Sequence, residues 1–142
     1  MTIKTYLGFD VGTKRTGIAI ANSLTSHARG IETVFNHKDG STNWPKFEKL
    51  INKHQADIFI VGLPLDDKGK EQEMTFIARS FGRKLKQRFN KEVVFIDEYL
   101  SSSEARNQLK WHYAHKNADR ADVDKRSAEL ILQTWLNETR HD

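Results

Sequence analysis

Asp10, Glu98 and Asp124 are the acids hardest to explain as ordinary surface charge. Charged side chains avoid burial unless something compensates them, so acids that the hydrophobic pattern drives toward a core are informative. Asp10 follows the alternating stretch Ile3 to Phe9 and opens the turn-rich Asp10-Val11-Gly12-Thr13-Lys14. Glu98, after Asp97, ends the strand Val93-Val94-Phe95-Ile96, an apolar run of the kind found in buried strands. Asp124 lies in line with Ala128, Ile131 and Trp135 at spacings of four, seven and eleven, the apolar stripe of a helix. Its neighbour Asp122 instead lines up with Arg126, Glu129 and Gln133, a polar stripe, and suits a cap or an exposed acid of the first turn. Singly, each acid also fits a local role: Asp10 bonding its own turn, Glu98 ending a strand, Asp124 capping a helix.

Together the three would be like charges at low dielectric, which cannot all stay ionised without a counter-charge. With no cluster of cysteine or histidine to suggest a softer metal, the matching partner is a hard divalent cation, Mg²⁺ or Mn²⁺. Two such ions about 4 Å apart stabilise the attacking and leaving oxygens of an in-line phosphoryl displacement. The chemistry so implied is phosphodiester hydrolysis, with Asp10, Glu98 and Asp124 as catalytic and metal-binding residues. Lys14, in the turn after Asp10, is placed to contact a phosphate or to balance the acids.

Other motifs carry less. Gly8 to Arg15 has only three residues between its glycines and no Ser or Thr after Lys14, so it is not a Walker loop. Asp10-Val11-Gly12-Thr13 is similar to the phosphate hairpin of the actin and sugar-kinase superfamily, but one small domain cannot clamp ATP as two large ones do. His112 and His115 have helix-compatible metal spacing in a hydrophilic stretch that reads as surface. Ser101 to Ser103 lack a nucleophile elbow, and Ser101 with Glu104 forms a capping-box pattern instead.

The elements that must position the acids follow from periodicity. Ile3 to Phe9 and Thr16 to Ala21 read as a hairpin, and Gly30 to Phe35 as a third strand. A helix near 44–54 starts at Thr42 or Asn43 with Pro45 in its first turn. Ile58-Phe59-Ile60-Val61 reads as a central parallel strand, followed by a helix from about Glu71 to Phe89 and a buried strand at Val93 to Ile96. A helix from Ser101 toward Tyr113, a loop over 114–121 and a last helix from about Val123 to Thr139 complete the chain. The expected fold is α/β: a mixed five-stranded sheet, antiparallel in its first three strands and then built by right-handed crossovers, with helices on both faces.

Composition bounds the rest. A chain of 142 residues, 37% hydrophobic and 30% charged, with no repeat or low-complexity linker, is expected to form a single domain, 1–142. The absence of cysteine excludes thiol nucleophiles, cysteine-based zinc sites and disulfide staples. No apolar run approaches the roughly 18 residues a membrane span requires, and the start of the chain has no leader pattern, so a cytoplasmic protein without a membrane partner is expected. With 23 Lys and Arg against 19 Asp and Glu, the net charge is +4, concentrated in Arg79, Arg83, Lys84, Lys86, Arg88 and Lys91. That cluster suits a polyanion or the solvated face of an amphipathic helix.

Asp10-Val11-Gly12-Thr13-Lys14, Val61-Gly62-Leu63-Pro64, Asp97-Glu98 with Leu100-Ser101-Ser102, and Asp122-Val123-Asp124 with Ser127-Ala128 together resemble the YqgF family of Holliday-junction-resolvase-like proteins. The resemblance spans almost the whole chain, with four motifs in order at the right separations. It implies a ribonuclease H-like fold and a metal-dependent nuclease that matures the 5′ end of pre-16S ribosomal RNA in ribosome biogenesis. Holliday-junction resolution on DNA is the alternative, and a non-catalytic RNA-binding assembly factor is the rival from outside the enzymes. Carried over motif by motif, the acidic triad again falls on Asp10, Glu98 and Asp124. Tyr99 stands where the family commonly has arginine and cannot supply a bidentate phosphate fork. Lys14, Arg15 or Arg106 would then compensate, and with Arg83 of the basic helix these are the expected nucleic-acid contacts. Expected partners are pre-16S rRNA, branched DNA and the ribosome, with the protein a monomer or weak homodimer.

Overall fold

A computed structural model describes residues 2–98 and 120–139. Five strands form one sheet in the order β3-β2-β1-β4-β5, with β1 at Thr5–Val11, β2 at Arg15–Asn22, β3 at Arg29–Phe35, β4 at Ile58–Pro64 and β5 at Glu92–Glu98. β1 pairs antiparallel with β2, and β2 with β3; β4 lies parallel to both β1 and β5. The mixed sheet expected from the hydrophobic pattern is present, with β4 inside it. The expected helix from Ser101 toward Tyr113, the loop at 114–121 as far as residue 119, the histidines 112 and 115, Tyr99 and Arg106 lie outside the described residues.

Three helices cover the sheet: α1 at Trp44–His54, α2 at Glu73–Phe89 and α3 at Arg120–Thr139. The alternation of each strand assigns its side chains to one layer or the other. Leu7, Phe9 and Val11 of β1 join Phe59, Val61 and Leu63 of β4 beneath α1 and α2, around Phe47, Phe81 and Leu85. On the opposite face, Ala19, Ala21, Ile60 and Ile96 meet Ala128, Ile131, Leu132 and Leu136 of α3. Even-numbered residues of β1, β4 and β5 therefore face α3, and Asp10 and Glu98 are even-numbered.

The second layer is thin because its sheet face is built from small residues. At Gly8 an added Cβ would stand 2.8 Å from the Leu132 Cβ, and at Gly30 it would stand 2.7 Å from the Lys125 carbonyl oxygen. Further along α3, Glu129 and Gln133 accept hydrogen bonds from the Gly30 and Ala28 N–H groups at 3.1 and 3.0 Å. The polar stripe read as solvent-facing thus also serves the backbone around the edge strand β3. Asp122 sits in the first turn of α3 and pairs with Lys125 at 3.0 Å, as its stripe predicts.

Two boundaries differ in ways that matter for the acids. β1 runs two residues past Phe9, because Asp10 pairs with Gly17 and Val11 with Thr16, leaving a turn closed by the Gly12 N–H to the Arg15 carbonyl at 2.9 Å. α2 begins at Glu73, after a turn organised by the Asp66 carboxylate, which accepts from the Lys68 and Lys70 N–H groups. Thr75 then completes the capping arrangement by accepting from the Gln72 N–H at 3.0 Å and donating to the Pro64 carbonyl. Among the described residues no helix is long and apolar enough to cross a membrane.

Candidate active site

The C-terminal ends of β1, β4 and β5 and the N-terminal part of α3 meet at one end of the sheet, the usual position for a site in a crossover α/β fold. Asp10 and Asp124 line a common cleft of about 270 Å³ together with Gly12, Thr13, Lys14 and Arg15. The approach of α3 depends on Gly17, the cross-strand partner of Asp10. A Cβ there would stand 2.0 Å from the Asp124 carbonyl oxygen, so only glycine admits the helix backbone at this depth. The first strand and last helix thus bring together acids 114 positions apart in the chain.

Asp124 is not left as a bare charge. The Arg15 Nε donates to its Oδ2, and both side chains are about one-fifth exposed. Arg15, expected to contact nucleic acid, is here the counter-ion of a site acid. Lys14 lines the same cleft and is exposed at the tip of the β1–β2 turn.

Glu98 approaches from two strands away. The residue is 6% exposed, an acid buried among the described residues. Gly62 explains how it fits: a Cβ at this position would stand 2.6 Å from Glu98 Oε2 and 2.7 Å from Ile131 Cδ1. The carboxylate therefore occupies the space that any other residue at 62 would fill. β1 and β4 pair up to Phe9 and Val61, so Gly62 is next along from Val61 as Asp10 is from Phe9, and Glu98 lies over that glycine. The glycine of the Val61-Gly62-Leu63-Pro64 motif was the signal for this hollow, since glycine inside a strand marks a close approach.

The donor set is carboxylate oxygen throughout, which suits Mg²⁺ or Mn²⁺. Among the described residues no three acidic or imidazole groups already stand at the mutual spacing of a metal's ligands. Asp10 and Asp124 share the cleft, whereas Glu98 is set behind it, over Gly62. The residues fit a hard cation in kind, with two acids at the cleft and a third in a hollow reserved for its carboxylate.

Arg83 does not belong to this end of the site. It is exposed on α2, the helix on the sheet face opposite Asp124.

The chain matches the RuvX family, described as Holliday junction resolvase, over residues 4–138. It is 43% identical over 138 residues to a protein of Aeromonas salmonicida (strain A449) named "Putative pre-16S rRNA nuclease", covering 97% of this chain and 98% of that one. A protein of the same name from Yersinia enterocolitica is 41% identical over the same shares. In structure it is similar to the Fowlpox virus resolvase bound to Holliday junction DNA, with a TM-score of 0.59 at 11% identity, over 96% of this chain and 99% of that one. It is also similar to T. thermophilus RuvC bound to a Holliday junction substrate, with a TM-score of 0.56 at 12% identity, over 97% and 96% of the two chains. The fold is ribonuclease H-like. By sequence over nearly its whole length, this chain belongs to the RuvX family, a family of nucleases and resolvases.

Proposed function

We propose that the protein is a metal-dependent nuclease acting on the 5′ end of pre-16S ribosomal RNA during ribosome biogenesis, in one cytoplasmic domain spanning residues 1–142. The observation that carries this reading is the cleft shared by Asp10 and Asp124, flanked by Lys14 and Arg15, with the buried Glu98 carboxylate over Gly62 on the neighbouring strand. Relatives about 40% identical over nearly the whole chain bear the pre-16S rRNA name, which supports the choice of substrate. The ribosomal precursor or the ribosome itself is the proposed partner, with the protein a monomer or weak homodimer.

Asp10 and Asp124, with Glu98 behind them, are the residues that would hold Mg²⁺ or Mn²⁺. Such a cation would supply charge for the phosphate oxygens and make water a competent nucleophile near neutral pH. Lys14 at the turn tip contacts the backbone phosphate next to the scissile one. Arg15 orients the Asp124 carboxylate and balances it before loading. Because Arg15 and Lys14 offset the two cleft acids, a divalent cation leaves the cleft net positive, the sign a phosphodiester requires. Arg106 is proposed to contribute a further phosphate contact.

A four-way DNA junction is the second reading, favoured by the family description. The test is cleavage of a labelled pre-16S 5′ leader and of a synthetic junction in Mg²⁺, Mn²⁺ or EDTA, with Asp10→Asn and Glu98→Gln beside the natural protein. Metal-dependent cutting of the leader that both variants abolish is expected, and preferential cutting of the junction would replace the substrate. Salt-sensitive RNA binding without cutting, unchanged in either variant, would overturn the nuclease in favour of a non-catalytic assembly factor.

A further inference from the structure

A second cleft, of about 420 Å³, adjoins the acid site. The two share Gly12 and Thr13, so the tip of the β1–β2 turn is the partition between them. One wall is α2, where Phe76, Ser80 and Lys84 recur every four residues and therefore stand in one row along the helix. The other wall is the segment after β3, at Asn36, Gly40 and Thr42.

That second wall is already fixed. The Asn36 side-chain amide donates to the Thr13 carbonyl at 3.0 Å, its backbone N–H donates to the Lys14 carbonyl at 2.9 Å, and the His37 N–H donates to the Ser41 carbonyl at 2.9 Å. The cleft is thus tied to the same turn that carries Lys14 into the acid site.

Phe76 is 58% exposed, among the most exposed large apolar side chains described, although its helix buries Thr75, Ala78 and Phe81. The Arg79 guanidinium, held by Glu71, lies 5.8 Å from the ring centroid. An exposed aromatic ring with a guanidinium over it, beside hydroxyl and amide groups and with a lysine two turns along the same row, matches an unpaired nucleotide: the base stacks on the ring and the lysine meets its phosphate. The cleft's size suits a single base better than a duplex groove.

Resting on the reading that a nucleic acid strand crosses the acid cleft, we infer that this second cleft binds one unpaired nucleotide flanking the scissile phosphate, with its base stacked on Phe76 and its phosphate at Lys84. The strand then passes over the turn at Gly12 and Thr13, from one face of the sheet to the other. A fully paired substrate cannot make that passage, so the cleft selects an unpaired strand at the cutting position.

The test is equilibrium binding in the Asp10→Asn background, so that the strand stays intact, to a single-stranded RNA and to the same strand carrying one abasic position, scanned along its length. Phe76→Ala should weaken binding of the intact strand about five- to a hundred-fold with an unchanged salt slope. Lys84→Gln should instead lower the salt slope by about one contact. One abasic position should weaken the natural Phe76 protein by a similar factor and leave Phe76→Ala indifferent. Base removal without effect at every position would overturn the subsite alone, as would an equal loss for intact and abasic strands in Phe76→Ala. Failure to bind RNA or DNA at all would remove the nuclease reading, and the subsite with it.

Discussion

Gly17→Ala is the most demanding test of how this site is assembled. The alanine Cβ would stand 2.0 Å from the Asp124 carbonyl oxygen, 2.5 Å from its carbonyl carbon and 3.1 Å from the Lys125 nitrogen. All three are helix backbone atoms, so no side-chain rotation relieves the clash. Cβ atoms essentially never come closer than 3.0 Å, so α3 must lift by at least 1 Å at its N-terminal part. Overpacking of this kind costs about 1–3 kcal/mol, which for a chain of this size lowers the melting temperature by roughly 3–12 °C. The fold survives, but Asp124 rides on the segment that moves, and a displacement of about 1 Å can cost about a hundred-fold in rate. The assay is cleavage at 25 °C, where the variant is still folded, beside a thermal melt. Turnover is expected to fall by about two orders of magnitude, well beyond what the loss of folded protein explains. Natural melting and natural turnover in Gly17→Ala would refute both the seating of α3 on β2 and the participation of Asp124.

Gly62→Ala should behave differently, because its Cβ meets only side-chain ends, Glu98 Oε2 at 2.6 Å and Ile131 Cδ1 at 2.7 Å. Stability should fall by less than about 1.5 kcal/mol, within what a yielding site loses, while cleavage falls at least about ten-fold as the Glu98 carboxylate is pushed aside; natural turnover would remove Glu98 from the site. Arg15→Gln strips Asp124 of its guanidinium partner and should cost about 1–3 kcal/mol in EDTA, with Mn²⁺ restoring more stability to the variant than to the natural protein in paired melts. Equal Mn²⁺ shifts in both would separate Arg15 from the metal site. Thr75→Val leaves the Pro64 carbonyl and the Gln72 N–H without their hydroxyl partner and should cost about 1–3 kcal/mol by urea denaturation. Burial, with Lys53 and Arg29 adding to it, holds the His54 pKa below the usual 6.5, so the folded state resists protonation there. Stability should therefore fall as pH drops below 6.5 and level off below the folded-state pKa. His54→Gln should flatten that part of the melting-temperature profile, and an unchanged profile would place its cause elsewhere.

The legible features were those with a period. The alternation of β1, the apolar runs of β4 and β5 and the stripe through Asp124 located the sheet and put Asp10 and Glu98 at strand ends, while the face they share with α3 emerged only from the assembled layers. The strand ends were misplaced by one to three residues, as at β1, where Asp10 and Val11 lead into a glycine turn and join the strand only because Gly17 and Thr16 pair with them. Arg15 was read as a contact for nucleic acid. Nothing local reveals that a partner 109 positions away will take its guanidinium. The glycines were in view as residues but not as hollows, since Gly17 and Gly62 acquire meaning only when α3 and Glu98 lie over them. Phe76 and Lys84 were absorbed into an amphipathic helix, and only the turn opposite them turns that row into one side of a cleft.

The same geometry explains why the site is tied to completion of the fold. Asp10 belongs to a hairpin formed between neighbours in sequence, whereas Asp124 comes from the last helix and can join it only after that helix has settled on β1 and β2. What seats the helix is a floor of small residues, Gly8, Gly17, Ala19 and Ala21, that lets its backbone sink to the sheet. Small-residue contacts of this kind are unforgiving, because close-packed interiors have no slack to absorb an added methyl group. Arg15 extends from the hairpin to the helix and satisfies Asp124 before any cation arrives. The hairpin thus supplies one acid, the counter-ion of the other, the glycine on which the helix rests and the lysine at the cleft mouth. That concentration of roles accounts for the dense run from Asp10 to Gly17 and leaves it little room for substitution.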